Sequence, residues 1–470
     1  MGLSIDSRKV KEGDAFFCII GNETDGHLFI DSAVAAGAKA VIHSREIPEE
    51  KKHPGVKYYK VDDTVTALNE ACRVYFDDVS SKLTVFGVTG TNGKSTITKI
   101  IKQIYDRVQP CGYIGTIATE FKDYQLEGGL TTPDAVSLHE SLKKMYDMGA
   151  KAVALEVSSQ GLSMGRVDAV DFDCAIFTNL THDHLDYHKT MDEYFEAKKK
   201  LFRGLRPDAF AVLNADSDTL EPLKACTKAE CITYGIENEA DYRAVNVRCH
   251  AHGSEFELIH GGKTYNFTTN LVAEYNVYNL LAVIAALHHY GVSMDLLMEE
   301  SGHINQVPGR AELIDEGQPF TVIVDYAHTP DGYEKILGYV HGFLAGNGRL
   351  ISMFGASGKR DESKRRDLGA VADKYSDIII LTEENNRDSD PKTITDQIRP
   401  GISPDTPVRF IPKRADAIEA ALREARPGDC VALLGKGDEP YLYIGAGKVK
   451  WPGDNNVARE ALRKMGYGKQ

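Results

Sequence analysis

The sequence has no apolar segment long enough to cross a membrane. A membrane helix needs about 20 consecutive apolar residues, whereas the longest uninterrupted run in these 470 residues, from Leu280 to Leu287, ends at His288. Residues 1–11 also lack the apolar core of a signal peptide. We therefore expect a cytoplasmic protein with no membrane partner.

Cysteines are few, and they show no paired spacing. Of the 8 cysteines, only Cys226 and Cys231 lie near each other, and no second pair accompanies them to complete a zinc site. This pattern favours structural thiols in a reducing compartment over a disulfide framework.

The sequence also lacks an excess of basic residues. The 55 lysines and arginines are outnumbered by 69 aspartates and glutamates, which gives a formal net charge of −14. Nucleic acids and anionic membranes attract clustered Lys and Arg, so the charge balance argues against both partners. Small anionic ligands remain possible, because a few cations placed in a cleft suffice to bind them.

The rest of the composition is that of an ordinary globular protein, with 42% hydrophobic and 26% charged residues. There is no internal repeat and no low-complexity tract. At ~150 residues per domain, the length predicts about three domains. Short apolar strands alternate with helical patterns, which is typical of α/β domains with mostly parallel sheets.

We expect an α/β fold of three domains. Residues 1–79 would form a small N-terminal α/β domain, residues 80–308 a central P-loop ATP-binding domain, and residues 309–470 a C-terminal Rossmann-like domain. The central domain would combine a parallel sheet with an attached small antiparallel sheet, because Gly261-Gly262 lies between alternating apolar residues as in a hairpin. The predicted strands cover residues 15–20, 40–43, 56–61, 84–88, 151–157, 174–178, 209–214, 320–325, 350–354, 378–382, 408–411 and 431–434. The predicted helices include residues 28–36, 64–75, 95–108 and 276–290.

The strongest motif runs from Gly87 to Thr96, between a predicted strand and a predicted helix. In such a loop, backbone N–H groups and the helix dipole hold phosphate oxygens. Lys94 would reach the β- and γ-phosphates, and the hydroxyl of Ser95 or Thr96 would meet Mg²⁺. The loop is a variant, because Val88 replaces the first glycine of the usual pattern.

Candidate metal ligands follow two other predicted strands. Glu156 ends one of them, and His184 lies directly after another. A carboxylate and an imidazole beside a phosphate loop suit Mg²⁺ or Mn²⁺ better than a closed zinc site. In the next predicted helix, Tyr194, Lys198 and Leu201 share one face, which by periodicity alone is typical of an ordinary core stripe.

Taken together, the motifs resemble those of the Mur ligases, in order and across nearly the whole chain. Within that family the sequence is most similar to the MurE type. The resemblance rests on the phosphate loop, Thr131-Thr132-Pro133, Glu156-Val157-Ser158-Ser159, residues 179–188, Ala197-Lys198, Val307-Pro308-Gly309-Arg310, Asp325-Tyr326-Ala327-His328 and Gly435-Lys436-Gly437.

The resemblance implies ATP-driven amide synthesis in the making of peptidoglycan precursors. The D-Glu carboxylate of UDP-N-acetylmuramoyl-L-Ala-D-Glu would attack the γ-phosphate of ATP to give an acyl phosphate. The amine of a diamino acid would then displace phosphate. The resemblance implies ATP and Mg²⁺ as cofactors, and UDP-N-acetylmuramoyl-L-Ala-D-Glu and a diamino acid as partners. We expect a monomer.

The same resemblance assigns the nucleotide, metal and catalytic residues. Asn276 matches the adenine contact, Asp325 the ribose contact and Arg310 an interdomain residue near the nucleotide, while Ala273 replaces a family glycine. Lys198 matches a lysine that is carbamylated in the family. The nucleotide residues are Gly90, Thr91, Asn92, Gly93, Lys94, Ser95, Thr96, Asn276, Arg310 and Asp325; the metal residues are Ser95, Glu156, His184 and Lys198; the catalytic residues are Lys94, Glu156, His184 and Lys198.

For the nucleotide-sugar substrate, the resemblance assigns residues in the first and central domains. Gln160 replaces a histidine that is usual in the family, so one polar contact differs. The residues implied are Ser4, Ser7 and Arg8 on the uridine side and Thr131, Thr132, Ser158, Met164 and Arg166 on the muramoyl-dipeptide side.

A segment in the C-terminal domain indicates which amino acid is added. Family members that add meso-diaminopimelate carry Asp-Asn-Pro-Arg, and the matching segment here is Glu384-Asn385-Asn386-Arg387. A guanidinium suits the second carboxylate of diaminopimelate and would repel the ammonium of lysine. We therefore favour meso-diaminopimelate, with L-lysine as the alternative. Arg360, Gly435 and Glu439 match the remaining contacts to the amino acid.

Three other functions remain open at this point. A folylpolyglutamate synthetase-like ligase would share the phosphate loop, but the segment Asp6-Ser7-Arg8 favours a UDP-sugar binder. A nucleotide-driven switch or motor would leave Arg360 and Arg387 unexplained. The presence of Lys94 and the proposed metal residues counts against a ligase-like protein without activity.

Overall fold

The computed structural model describes residues 1–21 and 24–468. It arranges them around a four-stranded, an eleven-stranded and a six-stranded sheet, with one further two-stranded hairpin. None of the helices in the described residues has the length and apolar character needed to span a bilayer.

The first sheet is parallel throughout, with its strands in chain order. Of the three predicted strands, residues 40–43 are confirmed with their predicted bounds and the other two are confirmed in shorter form; the first, two-residue strand was not predicted. Helix α2 begins where Asp63 accepts hydrogen bonds from the N–H groups of Val65 and Thr66. The elements are β1 (Leu3–Ser4), β2 (Ala15–Phe17), α1 (Ile30–Ala35), β3 (Ala40–His43), β4 (Lys57–Lys60) and α2 (Thr64–Tyr75), with 3₁₀ turns at Gly26–Phe29, Glu49–Lys51 and Val79–Lys82.

The second sheet has a parallel centre and antiparallel strands at both ends. Its strands are β5 (Thr84–Thr89), β6 (Cys111–Ile114), β7 (Ala118–Phe121), β8 (Tyr124–Glu127), β9 (Ala152–Glu156), β10 (Cys174–Phe177), β11 (Phe210–Asn214), β12 (Glu230–Gly235), β13 (Tyr242–His250), β14 (Gly253–His260) and β15 (Lys263–Thr269). Its helices are α3 (Lys94–Tyr105), α4 (Ala135–Asp147), α5 (Ser159–Ser163), α6 (Leu185–His188), α7 (Met191–Arg203), α8 (Leu220–Lys224), α9 (Glu274–His289) and α10 (Met294–Ser301).

The order of strands in this sheet is β15-β14-β13-β12-β11-β10-β5-β9-β6-β7-β8. The predicted hairpin at Gly261-Gly262 is confirmed as the turn between β14 and β15, and these strands continue the parallel sheet through β13. The three strands at the opposite edge, β6 to β8, were not predicted. Helix α9 is apolar on almost every side and is buried in the core together with α3.

The third sheet has the order β16-β17-β21-β18-β19-β20, parallel except for β16. All five predicted strands of this region are confirmed, with ends that shift by one residue at most. The elements are β16 (Glu312–Leu313), β17 (Thr321–Asp325), α11 (Pro330–Leu344), β18 (Leu350–Phe354), α12 (Arg365–Tyr375), β19 (Ile378–Leu381), α13 (Pro391–Ile398), a 3₁₀ turn (Arg399–Gly401), β20 (Val408–Phe410), α14 (Arg414–Glu424), β21 (Cys430–Leu434), the hairpin β22 (Tyr441–Ile444) and β23 (Gly447–Lys450), and α15 (Asp454–Lys464).

The topology brings the candidate site together at one edge of the central sheet. Strand β5 lies between β10 and β9, and all three run parallel. Their carboxyl ends therefore meet at the same edge, where ligands bind in open α/β sheets. The phosphate loop follows β5, Glu156 ends β9, and the segment with His184 follows β10.

Candidate active site

The loop between β5 and α3 is shaped by two glycines with positive φ. Gly90 has φ 142°, and a Cβ atom there would lie 1.8 Å from Thr178 Oγ1. Gly93 has φ 91°, and a Cβ atom there would lie 2.4 Å from Asn279 Oδ1. Side chains at these positions would push the loop away from its neighbours. The first N–H groups of α3 lack acceptors within their own helix, so the loop offers an anion site.

Lys94, the first residue of α3, bends back over this loop. Its Nζ donates to the carbonyl oxygens of Gly90 at 3.0 Å and Thr91 at 2.8 Å. Burial lowers the pKa of Lys94, while the charges of Glu156 and Asp183 act in the opposite direction. The amine therefore lies where it can reach a phosphate held by the loop.

Glu156 is completely buried at the end of β9. Its carboxylate accepts hydrogen bonds from Ser95 Oγ at 2.9 Å, Tyr113 Oη at 2.6 Å, and Thr116 N and Oγ1 at 3.0 and 3.1 Å. Tyr113 and Thr116 were missed by the sequence reasoning, because β6 and the turn after it were not predicted. These donors fix the carboxylate next to the hydroxyl that begins α3.

Lys198 lies beneath the phosphate loop and is 1% exposed. Its Nζ donates to the Gly90 carbonyl at 2.7 Å and lies 4.2 Å from the centre of the Tyr194 ring. Burial, with a smaller contribution from the charge of Lys94, lowers the pKa of Lys198 well below its ordinary value. The site therefore favours the uncharged amine, which is the form that reacts as a nucleophile.

His184 lines the same cavity as Glu156 and has the left-handed conformation with φ 56°. Burial lowers its pKa to about 4, so the imidazole is neutral near pH 7 and has a free electron pair. The preceding residue, Asp183, faces His328 Nε2 at 3.5 Å and Lys364 Nζ at 3.7 Å, both from the C-terminal part of the chain. These neighbours hold the pKa of Asp183 well below its usual range, although burial raises it. Asp183 joins the two parts of the site, and the sequence reasoning gave it no role.

A cavity of about 770 Å³ opens between the central sheet and the third sheet. Asp325, at the end of β17, accepts hydrogen bonds from the N–H groups of Ala311 and Ala327, both at 2.6 Å, and burial raises its pKa. The Arg310 guanidinium stacks 4.2 Å from the Tyr326 ring centre. The predicted residues that line this cavity are Thr91, Asn92, Gly93, Lys94, Ser95, Thr96, Thr131, Glu156, His184, Asn276, Arg310 and Asp325.

Asn276 lies on the first turn of α9 and is 2% exposed. Its Nδ2 donates to the Val272 carbonyl at 2.8 Å, and its Oδ1 accepts from Asn279 at 2.9 Å. These bonds fix the amide in the wall of the cavity. Tyr275 lines the same cavity with a buried hydroxyl that has no hydrogen-bond partner among the described residues, and the sequence reasoning also missed it.

A second cavity, of about 1520 Å³, lies between the first sheet and the central domain. Arg166 Nη1 donates to the Thr132 carbonyl at 2.9 Å, and Thr132 Oγ1 donates to the Glu156 carbonyl at 2.9 Å. Ser158 Oγ accepts from the same Thr132 hydroxyl at 3.1 Å. This chain of contacts leads from the second cavity to the phosphate loop. The predicted residues that line the second cavity are Ser4, Ser7, Arg8, Met164 and Arg166.

The residues predicted to hold an amino acid cluster at the carboxyl ends of β19 and β21. Glu384 accepts a 2.6 Å bond from Ser357 Oγ, and a Cβ atom at Gly435 would lie 2.7 Å from Glu384 Oε2. Asn386, where the family has proline, donates to Glu383 Oε2 at 3.2 Å and accepts from the Glu384 N–H at 3.3 Å. These side-chain bonds brace the turn without a proline ring.

Glu439 is held by a lysine that the sequence reasoning did not assign. Lys436 is fully buried, and its Nζ donates to Glu439 Oε2, to Asn385 Oδ1 at 3.0 Å and to the Tyr441 carbonyl at 2.7 Å. Tyr326 Oη donates to the other Glu439 oxygen at 3.0 Å. Lys436 therefore ties together two residues predicted to contact the amino acid.

Arg387 lies at the edge of this cluster with φ 51°. Its Nη1 donates to the Gly358 carbonyl at 2.7 Å, and its guanidinium lies 5.9 Å from the Tyr443 ring centre. Burial and the nearby charge of Arg360 lower the pKa of Arg387. Two guanidinium groups whose charges interact can together bind a carboxylate.

Comparisons with known proteins agree with these features. The Mur ligase middle domain matches residues 88–287, the glutamate ligase domain of the Mur ligases matches residues 309–437, and the Mur ligase family catalytic domain matches residues 1–76. The UDP-N-acetylmuramoyl-L-alanyl-D-glutamate–2,6-diaminopimelate ligase of Aquifex aeolicus is 42% identical over 98% of this chain and 93% of its own length.

Solved structures show the same architecture. A UDP-N-acetylmuramoyl-L-alanyl-D-glutamate–2,6-diaminopimelate ligase superimposes with a TM-score of 0.69 at 30% identity, over 99% of this chain and 95% of that one. The MurF ligase of Thermotoga maritima, in complex with ADP, superimposes with a TM-score of 0.67 over 99% of this chain and 96% of that one, and at 17% identity it shows the fold alone. On the strength of the full-length identity, the chain belongs to the Mur ligase family.

Proposed function

We propose that the protein is an ATP-dependent ligase that joins meso-2,6-diaminopimelate to the D-Glu carboxylate of UDP-N-acetylmuramoyl-L-Ala-D-Glu in peptidoglycan precursor synthesis. One observation carries the proposal. The phosphate loop, Glu156 and His184 line one cavity, and the Arg166–Thr132–Glu156 contacts connect it to the cavity of the first domain. The names of the relatives agree with this activity.

The reaction has two steps. The D-Glu carboxylate oxygen attacks the γ-phosphorus of ATP, ADP leaves, and an acyl phosphate forms. The amine of the amino acid then attacks the acyl carbon, the C–O bond to phosphate breaks, and the nitrogen loses its proton. Both steps bring anions together, so catalysis depends on cations and N–H donors that are already in place. Lys94 and the loop amides serve the phosphates, while Asn276, Asp325 and Arg310 serve the nucleoside.

The side chains at the loop fit Mg²⁺. Ser95 and Glu156 present hard oxygen ligands 2.9 Å apart, and His184 and a carbamate formed on Lys198 would complete the set of ligands. Within residues 1–21 and 24–468, no group of three or more His, Cys, Asp or Glu side chains is arranged to hold a metal by itself. Mg²⁺ usually combines one or two protein ligands with substrate phosphates and water. When bound, the ion would neutralise charge that develops on the phosphates.

The charges around the amino-acid site favour a second carboxylate on the substrate. Arg387 bonds the carbonyl of Gly358, two residues before Arg360, and the charge of Arg360 lowers the pKa of Arg387, so the distal carboxylate of meso-diaminopimelate is attracted to this pair. L-lysine has no distal carboxylate, and the two arginines repel its distal ammonium group. Glu384 and Glu439 remain to bind ammonium groups of the amino acid.

The direct test is phosphate release by the purified protein. ATP, Mg²⁺ and UDP-N-acetylmuramoyl-L-Ala-D-Glu are supplied with meso-diaminopimelate, L-lysine or other diamino acids, one at a time. We expect the highest turnover with meso-diaminopimelate and none without the nucleotide-sugar substrate. Absence of product with every diamino acid would refute the ligase, and equal turnover with L-lysine would refute the diaminopimelate assignment.

A folylpolyglutamate synthetase-like ligase is a weaker candidate. The match of residues 1–76 to the Mur ligase family and the contact chain through Thr132 both favour a nucleotide-sugar substrate. The same assay separates the two, because a folate substrate should then support no phosphate release. Hydrolysis of ATP that needs no acceptor at all would instead indicate a switch or motor.

A further inference from the structure

Asp186 connects the central domain to the two guanidinium groups of the amino-acid site. Its Oδ2 accepts a 3.0 Å hydrogen bond from Arg360 Nη1, the single ion pair that Arg360 makes within the described part of the chain. Beside it, His182 Nε2 lies 3.1 Å from Asp361 Oδ2. The segment after β10 therefore contacts the segment after β18 through two ion pairs, one at Arg360 and one at Asp361.

Arg360 and Arg387 come together because their loops touch. Gly358 donates its N–H to the Asn385 carbonyl at 2.9 Å, and a Cβ atom at Gly358 would lie 2.0 Å from the Asn386 carbonyl oxygen. Arg387 also bonds the Gly358 carbonyl. Any side chain at position 358 would separate the loops, so this contact sets the spacing of the two loops that carry Arg360 and Arg387.

The electrostatics of Arg387 link the three charged groups. Burial and then the charge of Arg360 lower the pKa of Arg387, whereas Glu384, Tyr443 and, to a smaller extent, Asp186 raise it. Asp186 therefore lies close enough to offset part of the repulsion between the two arginines.

We propose that Asp186 is a positioning residue for amino-acid recognition: it holds Arg360 from across the domain boundary so that the remaining guanidinium donors face the substrate carboxylate beside Arg387. The inference rests on the proposed function and adds a specificity residue to it. Arginine has five N–H donors in a fixed plane, and Asp186 bonds Nη1. Because Asp186 belongs to the central domain, Arg360 is oriented only when the two domains are together, which couples amino-acid binding to closure.

The test compares Asp186→Asn and Asp186→Glu with the wild-type protein. We expect Asp186→Asn to raise KM for meso-diaminopimelate about tenfold, the effect of one lost charge-assisted hydrogen bond. KM for ATP and for the nucleotide-sugar substrate should stay within about twofold, and kcat should change little. Asp186→Glu should restore part of the loss. In an Arg360→Ala background, Asp186→Asn should add no further increase.

Two control variants separate positioning from simple domain contact. Tyr441→Phe removes another hydrogen bond between the domains, from Tyr441 Oη to Glu127 Oε2 at 2.9 Å, and leaves the guanidinium groups untouched. Asp192→Asn changes an exposed aspartate on the first turn of α7. Neither should raise KM for meso-diaminopimelate selectively. Thermal melting of every variant checks that the fold is kept.

Each outcome decides the inference. An unchanged KM for meso-diaminopimelate in Asp186→Asn overturns it while wild-type turnover upholds the proposed function. A lower KM identifies Asp186 as a competitor for Arg360 and also overturns it. A fall in kcat without a selective rise in KM for meso-diaminopimelate, seen also in Tyr441→Phe, would mean that Asp186 only holds the two domains together. This result also overturns the inference. If the wild-type protein makes no product with any diamino acid, the proposed function fails and the inference falls with it.

Discussion

The Ser95 hydroxyl donates a 2.9 Å hydrogen bond to the Glu156 carboxylate, and so joins the start of α3 to the end of β9 at the mouth of the phosphate loop. The same carboxylate is held on its other side by Tyr113 and Thr116. Its orientation thus depends on two other segments of the central domain, the start of α3 and residues 113–116. A buried carboxylate fixed in this way costs no reorganisation when it meets a cation.

Glu156→Gln keeps the shape of this side chain and removes its charge. We expect kcat to fall by about 100-fold or more, since a preorganised electrostatic contact is typically worth that much. Half-maximal activity should require more Mg²⁺, which initial rates over a Mg²⁺ series will measure. Glu120→Gln changes a carboxylate paired with Lys99 at the sheet edge and is the matched control. An unchanged Mg²⁺ dependence in Glu156→Gln would contradict the metal assignment.

The strand, loop and helix around Ser95 could be predicted from the sequence because each signal is local. A continuous apolar strand, two glycines and an amphipathic helix follow one another within about 25 residues of chain. Tyr113 and Thr116 could not be found in this way. They belong to four-residue strands and their turns at the sheet edge, where pairing with β9, about 40 residues further along the chain, decides the structure.

Lys198→Ala should abolish turnover, and short carboxylates such as acetate should restore part of it. The lowered pKa of Lys198 favours the uncharged amine, and an uncharged amine reacts with CO₂ to give a carbamate. Carbon-13 NMR of protein equilibrated with labelled CO₂ should reveal that carbamate. Lys200→Ala, which alters an exposed lysine on the same helix, is the control. Full activity of Lys198→Ala would rule out the carbamate.

His139 gives the folded state a dependence on pH. It is completely buried on α4, both ring nitrogens lack partners among the described residues, and burial lowers its pKa from 6.5 to about 4. As the pH falls, His139 therefore binds a proton at a higher pH in the unfolded chain than in the folded protein. The associated stability is fully present above pH 6.5 and is lost as the pH falls toward 4, by about 3 kcal/mol in total.

His139→Phe should remove that loss, because phenylalanine does not titrate and can stack on Phe76 as the imidazole does. Relieving two unpaired nitrogens should also raise stability at pH 7 by about 1 kcal/mol. Melting temperatures between pH 4.5 and 8 measure both effects. His252→Gln replaces an exposed histidine for comparison. Parallel pH profiles for His139→Phe and the wild type would show that His139 takes up its proton equally in both states.

Arg387→Ala should raise KM for meso-diaminopimelate by about 10- to 100-fold and leave KM for ATP within about twofold, since a guanidinium–carboxylate contact contributes about 1.5–3 kcal/mol. Steady-state kinetics with each substrate varied in turn will measure this. Arg409→Ala removes an exposed arginine paired with Glu424 and serves as control. If neither KM changed, Arg387 would be an ordinary surface residue.

Long-range contacts explain why other parts of the site were missed. The sequence places Asp183 and Asp186 in a recognisable segment, but their partners His328, Lys364 and Arg360 come from the other end of the chain. No local pattern encodes such pairs. Lys436 is a similar case. A lysine between two glycines is typical of a solvated turn, whereas the structure buries Lys436 completely.

Lys436 supports the fold by holding Glu439 and Asn385, and a single and a double variant separate this effect on stability from any effect on the reaction. Lys436→Met leaves Glu439 and Asn385 without their shared donor, and breaking a buried ion pair from one side costs about 3–5 kcal/mol. We expect a large fall in melting temperature and loss of activity. Adding Glu439→Gln removes the unpaired charge, so the double variant should regain most of the stability. It should regain no activity, because Glu439 is proposed to bind the amino-acid substrate. Recovery of activity in the double variant would show that Glu439 serves the fold alone.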